Sequence, residues 1–181
     1  MSKVFFTSDL HFGHKKLCEN VRGMTMEESN EYIVKQWNSV VSKRDIVYVL
    51  GDIVREDSSY LHWLDKLNGT IYVVGGNHDD RKVCKKLREL GITVLGCLKY
   101  RGFICTHIPV HPSELREHRA NIHGHLHRLY YGKESNIHEL GILYYNVNCE
   151  HHDYKPVNIE DIIKYYDCVE SEGDLGGVSG V

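Results

Sequence analysis

Short apolar runs and amphipathic stretches alternate through the first half of the chain. Residues 3–7, 46–50 and 70–74 are nearly continuous apolar segments of strand length, the pattern of strands buried on both faces. Between them the period changes. Thr25-Met26-Glu27-Glu28 has the spacing of a capping box, and Ile33, Val34, Trp37, Val40 and Val41 then recur at helical intervals. Residues 58–67 predict a shorter amphipathic helix closed by Asn68-Gly69, a helix-stop pair. Residues 79–90 predict a further helix with Val83, Leu87 and Leu90 on one side, stopped by Gly91 and followed by a short strand at 92–95. The texture then changes to closely spaced strands. Residues 97–100 and 103–106 form a hairpin candidate around Arg101-Gly102, another strand is expected at 142–148, and a helix at 157–166. Residues 171–181 are glycine-rich and expected to be disordered, leaving residues 1–170 as a single domain.

Composition narrows the class. A chain of 181 residues, 41% hydrophobic and 26% charged, suits one globular domain with a sizeable core. The formal net charge of -3 supplies no global field toward nucleic acid or an anionic membrane, so any attraction for phosphate is local. No segment is long enough to span a bilayer, and Asp9 interrupts the first apolar run before it reaches signal-peptide length. Six cysteines form no Cys-x-x-Cys pair and mostly sit in apolar runs, as expected of reduced, buried thiols in a cytoplasmic protein. The thirteen histidines are dispersed, and several fall two residues apart.

The chemistry gathers where strands end. Gly75-Gly76-Asn77-His78-Asp79 follows the run 70–74, and its glycines permit a sharp turn and close backbone approach. Taken alone it is also an ordinary turn sequence. Asp9, Asp52, Asn77 and His107 each come just after an apolar β run, and ligands of open α/β sheets bind at that edge. In an extended chain Asp9 and His11 share a face, as do His125 and His127. The set then holds two aspartates, one asparagine and four histidines, which suits two cations better than one. Asp52, alone after the central strand, is the choice for a carboxylate bridging both ions through its two oxygens. Mixed oxygen and nitrogen donors without thiolate point to Mn, Fe, Zn or Ni, with Mn favoured. His14, Lys15, Lys16 and Arg22 lie in a polar loop that either contacts a substrate phosphate or is simply solvated; Arg22 and His111 are carried forward as substrate-binding candidates. His123 alternates away from the ligand pair and reads as a structural group.

The blocks Asp9-x-His11, Gly51-Asp52, Gly76-Asn77-His78-Asp79, His107 and Gly124-His125-x-His127, in this order, resemble the calcineurin-like metallophosphoesterase superfamily. The resemblance implies a four-layer αββα sandwich of two mixed sheets flanked by helices. It implies that one divalent ion takes Asp9, His11, Asp52 and His127, and the other Asp52, Asn77, His107 and His125. It makes His78 the general acid and Asp79 the residue that orients it. The expected reaction is hydrolysis of a phosphodiester or activated phosphomonoester, a nucleotide among the possibilities, by in-line attack of a metal-bridging hydroxide. The Gly-Asp-x-x-Asp-Arg-Gly block of the superfamily's protein phosphatases is missing, because this chain reads Gly51-Asp52-Ile53-Val54-Arg55-Glu56-Asp57. It is therefore more similar to the small bacterial and phage phosphoesterases.

Two alternatives stand beside this reading. A nuclease of the same superfamily is suggested by the basic stretch Arg81, Lys82, Lys85, Lys86 and Arg88, although a soluble helix face explains such a run as well. A non-catalytic metal-binding scaffold would be expected to lack some of the ligands. Neither the natural substrate nor the oligomeric state follows from the sequence.

Overall fold

Three apolar runs lie side by side in the computed structural model, which describes residues 2–55, 57–127 and 143–171. They form β1 (Val4–Thr7), β2 (Ile46–Val49) and β3 (Thr70–Val74), mutually parallel, with Phe6 opposite Tyr48 and Tyr48 opposite Tyr72. β4 (Thr93–Leu95) extends the sheet parallel to β3. The second sheet comprises β5 (Leu98–Tyr100), β6 (Phe103–Cys105), β7 (Ala120–His123) and β8 (Tyr144–Asn146), in that order. Its β5–β6 pair is the antiparallel hairpin expected at Arg101-Gly102. Both turn residues have positive φ, 47° and 86°, the backbone of a two-residue turn that matches strand twist. β6, β7 and β8 pair in parallel, so this sheet is mixed.

Strand alternation separates two cores. Phe5, Val47, Val49 and Val73 point to one face of the first sheet, whereas Phe6, Leu50 and Val74 point to the other. The first face is covered by α1 (Met26–Val40), the 3₁₀ helix Ser58–Lys66 and α2 (Arg81–Glu89), which bury Ile33, Trp37, Leu61, Trp63, Val83 and Leu87. Each such side chain contributes about 1.5–3 kcal/mol on burial. The second face meets Phe103, Cys105, Ala120 and Ile122 of the other sheet, joined by Ile159, Ile162 and Tyr166 of α3 (Ile159–Ser171). The result is the expected α/β architecture of two mixed sheets with flanking helices.

Local chemistry sets the element ends. Thr25 and Glu28 form a reciprocal capping box at α1: the Glu28 N–H donates to Thr25 Oγ1 at 3.2 Å and the Thr25 N–H to Glu28 Oε2 at 2.8 Å. The helix expected over 157–166 starts later and runs further. Val157 and Asn158 instead form β9, antiparallel to β1 with Val157 opposite Phe6, and Asn158 Oδ1 accepts from the Glu160 N–H at the start of α3. The segment at 58–66 is 3₁₀ rather than α, since the spacing of Leu61 and Leu64 serves either period. Leu90, expected on the apolar side of α2, is exposed because the helix ends at Glu89. The strand expected from 142 is seen from Tyr144; residue 142 and the tail 172–181 lie outside the described residues. The six cysteines are free, and Cys18, Cys105 and Cys149 are buried. Among the described residues no helix is long and apolar enough to cross a membrane.

Candidate metal centre

Beyond the last residues of β1 and β2 the two chains stay laced together. The N–H groups of Asp9, His11 and Phe12 donate to the carbonyls of Gly51, Asp52 and Ile53 at 3.0, 3.0 and 2.8 Å. The backbone there is not extended. Asp9, His11, Asp52 and His125 all have positive φ, at 59°, 49°, 57° and 68°, a conformation that L residues adopt only where surrounding structure holds them. This corrects the expectation that Asp9–His11 and His125–His127 meet by alternation in straight segments. They meet because the chain coils, with Leu10 buried between the first pair.

Two clusters result. The ligand atoms of Asp9, His11 and His127 lie within 4.8 Å of one another, and so do those of Asp52, His107 and His125. Asp52 Oδ2 is 3.6 Å from His11 Nε2 and 3.3 Å from His107 Nε2, so one oxygen faces both clusters. Its other oxygen accepts the His78 N–H at 2.9 Å. His127 Nε2 is 3.5 Å from Asp9 Oδ1, and Asn77 Oδ1 is 2.8 Å from His107 Nε2.

The donor chemistry fits cations. The Leu50 carbonyl lies 2.8 Å from His107 Nδ1 and makes that nitrogen the N–H, so Nε2 presents a lone pair. That lone pair faces the acceptor oxygens of Asn77 and Asp52. Acceptors converging on acceptors need a positive charge between them, which a cation or a proton on His107 supplies; burial pushes the His107 imidazole down, and its hydrogen bond with Asp52 and the Asp9 charge raise it. Asp9 Oδ1 is buried with no hydrogen-bond partner, which poses the same need in the other cluster. Burial pushes the Asp9 carboxyl up against the pull of His107 and His127, whereas burial of Asp52 is outweighed by His107 and the His78 N–H, which hold it low.

Space is set as tightly as charge. A side chain at Gly76 would run into Asp52 Oδ1, and one at Gly124 would stand 2.5 Å from Asp9 Oδ2. Gly76 is therefore required by close approach and not by turning, since its φ is not positive.

Several supporting groups differ from expectation. Among the described residues, the bonds to the Asp79 carboxylate come from backbone amides and not from the His78 ring. The carboxylate accepts the N–H groups of Asp52 at 2.8 Å, Gly76 at 2.9 Å and Ile53 at 3.2 Å, tying the ends of β2 and β3 together. Arg22, expected to face a substrate phosphate, turns inward with a fully buried side chain. Its guanidinium donates to Glu150, to the carbonyls of Leu10 and Asp9, and to Ser29, so no donor face is left for a substrate. His111 is exposed and caps the 3₁₀ turn Pro112–Glu114, with its ring held by Ser113. His78 stands with its ring 5.4 Å from that of His11 and belongs to neither cluster. His123 is buried and bonded to the Gly124 carbonyl, a structural group as expected.

Glu150 is the residue that the sequence reading missed. Its Oε2 is 3.0 Å from His127 Nδ1 and its Oε1 is 3.0 Å from Arg22 Nε. A carboxylate on the far nitrogen fixes the ring and turns Nε2 toward Asp9. The signal was present: Cys149-Glu150 follows the run 142–148, just as Asp9 and Asp52 follow theirs.

The family model described as the calcineurin-like phosphoesterase superfamily domain matches residues 2–147. An uncharacterised protein of Methanocaldococcus jannaschii is 33% identical over 171 residues, spanning 91% of each chain. A probable cyclic nucleotide phosphodiesterase of Coxiella burnetii is 33% identical over 90 residues, 47% of this chain and 35% of that protein. The crystal structure of a protein of unknown function from Aquifex aeolicus superposes with a TM-score of 0.71 at 25% identity, over 91% of this chain and 100% of that one.

Proposed function

Because this chain belongs to the calcineurin-like phosphoesterase superfamily, we propose that it is a binuclear metal-dependent hydrolase of a phosphodiester or an activated phosphomonoester. The observation that carries this reading is Asp52 Oδ2, which faces His11 and His107 at once. Asp9, His11, Asp52 and His127 would hold one ion, and Asp52, Asn77, His107 and His125 the other. Their mixed oxygen and nitrogen donors favour Mn among Mn, Fe, Zn and Ni. Bound divalent ions supply Lewis acidity and a nucleophile drawn from water near neutral pH.

The chain's own residues do the rest. His78 is held by its backbone on Asp52 Oδ1, and its imidazole stands beside His11 without being needed as a ligand. It is placed to give a proton to the leaving oxygen. Asp79 and Glu150 act one step out, by fixing the loops and the His127 ring. The free, partly buried thiols suit a reducing compartment, and the cytoplasm is the proposed location.

The test is Asp52→Asn assayed with bis-p-nitrophenyl phosphate alongside metal analysis. Both bound metal and turnover are expected to fall, and full activity would refute the assignment. His78→Ala should keep its metals and lose rate most with poor leaving groups; equal losses across leaving groups would remove its role as acid.

A nuclease remains the second reading because α2 exposes Arg81, Lys82, Lys85, Lys86 and Arg88 from a helix that begins three residues after His78. Glu89 approaches Lys85 and Lys86 and weakens the patch. Cleavage of DNA or RNA that collapses as salt rises would favour this reading.

A further inference from the structure

Asp9, His11 and His127 come from two distant loops, and one buried side chain reaches the supports of all three. Arg22 closes the π-helical turn Cys18–Arg22, which Gly23 ends at φ 66° by donating its N–H to the Cys18 carbonyl. Turns of this wide period recur at functional sites. Nη2 of Arg22 donates to the Asp9 carbonyl at 2.9 Å, and Nη1 to the Leu10 carbonyl at 3.0 Å. Those are the two peptide groups between the left-handed residues Asp9 and His11. Carbonyls beyond β2 already take the Asp9 and His11 N–H groups, so both the donors and the acceptors of this coil are held.

The rest of the guanidinium reaches the third ligand. Nε donates to Glu150 Oε1 at 3.0 Å, and Glu150 Oε2 lies 3.0 Å from His127 Nδ1. Nη1 also donates to Ser29 Oγ at 3.2 Å, which ties the group to α1, and Nη2 lies 3.7 Å from Cys149 Sγ. These bonds lead to the cluster of Asp9, His11 and His127, and none of them to Asp52, His107 or His125. On charge alone a guanidinium is an unfavourable neighbour for a metal ion. Its rigid fork, by contrast, sets the positions of three ligands, two of them on left-handed backbone that surrounding structure has to hold. Charge and position therefore act on ion binding with opposite signs.

We propose that Arg22 is a positioning residue that assembles Asp9, His11 and His127 as a unit. Its two terminal nitrogens hold the Asp9–His11 coil, and its Nε holds the His127 ring through Glu150. The proposal rests on the two-cation reading above, and its test needs no turnover, so it fails separately from the hydrolase reading.

Arg22→Lys and Arg22→Gln are compared with the unaltered protein by calorimetric titration with Mn, resolving two sites, with circular dichroism to check the fold. The site that disappears in His127→Ala identifies the cluster concerned. Lysine keeps the charge and loses the fork, whereas glutamine loses both. Both variants should weaken that site by about 10–100-fold and the other far less. If charge ruled, glutamine would tighten the site and lysine would leave it unchanged; either result overturns the proposal, as does an equal loss at both sites. A lysine variant that stays unfolded in the presence of Mn would make Arg22 a residue of the fold and not of the cluster, which overturns it too. Arg22→Ala supplies a second check, because Arg22 and Glu150 line a cavity of about 250 Å³ that gives a small cation room to enter. Methylguanidinium should restore the weakened site and methylammonium should not; restoration by neither, or by both alike, counts against the proposal. Two bound ions without ester cleavage in the unaltered protein would end the hydrolase reading and leave this one to the titration, whereas fewer than two would end both.

Discussion

Glu150 shows how one side chain governs another. Although burial pushes its carboxyl up, His127 and Arg22 bring it down to about 2, so it stays ionised wherever the protein is folded and working. A permanent negative charge on Nδ1 keeps the His127 ring turned with Nε2 toward Asp9. Glu150→Gln keeps the shape and removes the charge. It is expected to weaken metal binding at Asp9, His11 and His127 by about 10–100-fold, with a smaller effect at Asp52, His107 and His125. A metal titration resolving two sites checks this, and equal affinity at both sites in a folded variant would count against it. Gly76→Ala tests space at the same scale: a methyl group driven against Asp52 Oδ1 should lower both metal occupancy and melting temperature. The residues of the centre were legible from their place at strand ends. Their left-handed backbone was not, because Asp9, His11, Asp52 and His125 are held there by neighbours distant in sequence.

Among the elements, β1 and β2 depend on a brace at the opposite end from the centre. Asp45 accepts the Lys3 N–H on one oxygen at 2.8 Å, and the Ser42 N–H and hydroxyl on the other, both at 2.7 Å. These bonds, the one from Lys3 foremost, hold its carboxyl below the ordinary value. A carboxyl with a depressed folded-state pKa stabilises the fold above the unfolded value, about pH 4, and loses that contribution as pH falls through the folded value. Asp45→Asn should therefore lower the melting temperature at pH 7, and the gap from the unaltered protein should shrink toward pH 3. A gap independent of pH would mean that the carboxylate charge is not what matters. Elements defined by their own residues were readable in advance: β3 and the capped start of α1 needed only apolar runs and Thr25 with Glu28. β9 was not, because two residues become a strand only through a partner, and Val157 fits a helical period until β1 claims it.

For the molecule as a whole, each cluster draws residues from beyond strands of both sheets. β1, β2 and β3 bring Asp9, His11, Asp52 and Asn77, while β6 and β7 bring His107, His125 and His127. Ions held there would bind only the folded chain. Removing them with a chelator should lower the melting temperature, and Mn should restore it, saturating near two equivalents. Metal at a hundredfold above its dissociation constant stabilises by about 2.7 kcal/mol per site. An unaltered melting curve would show that the sheets are joined without help from the centre. Part of that joining is visible already in Asp79, where three amide protons from the mouths of two strands converge on a carboxylate that no ion needs to touch. A cage whose bars are welded by its own backbone would exchange an occupant without reshaping, so the supply of cations around it would weigh on which one it holds, beside the preference of its donors.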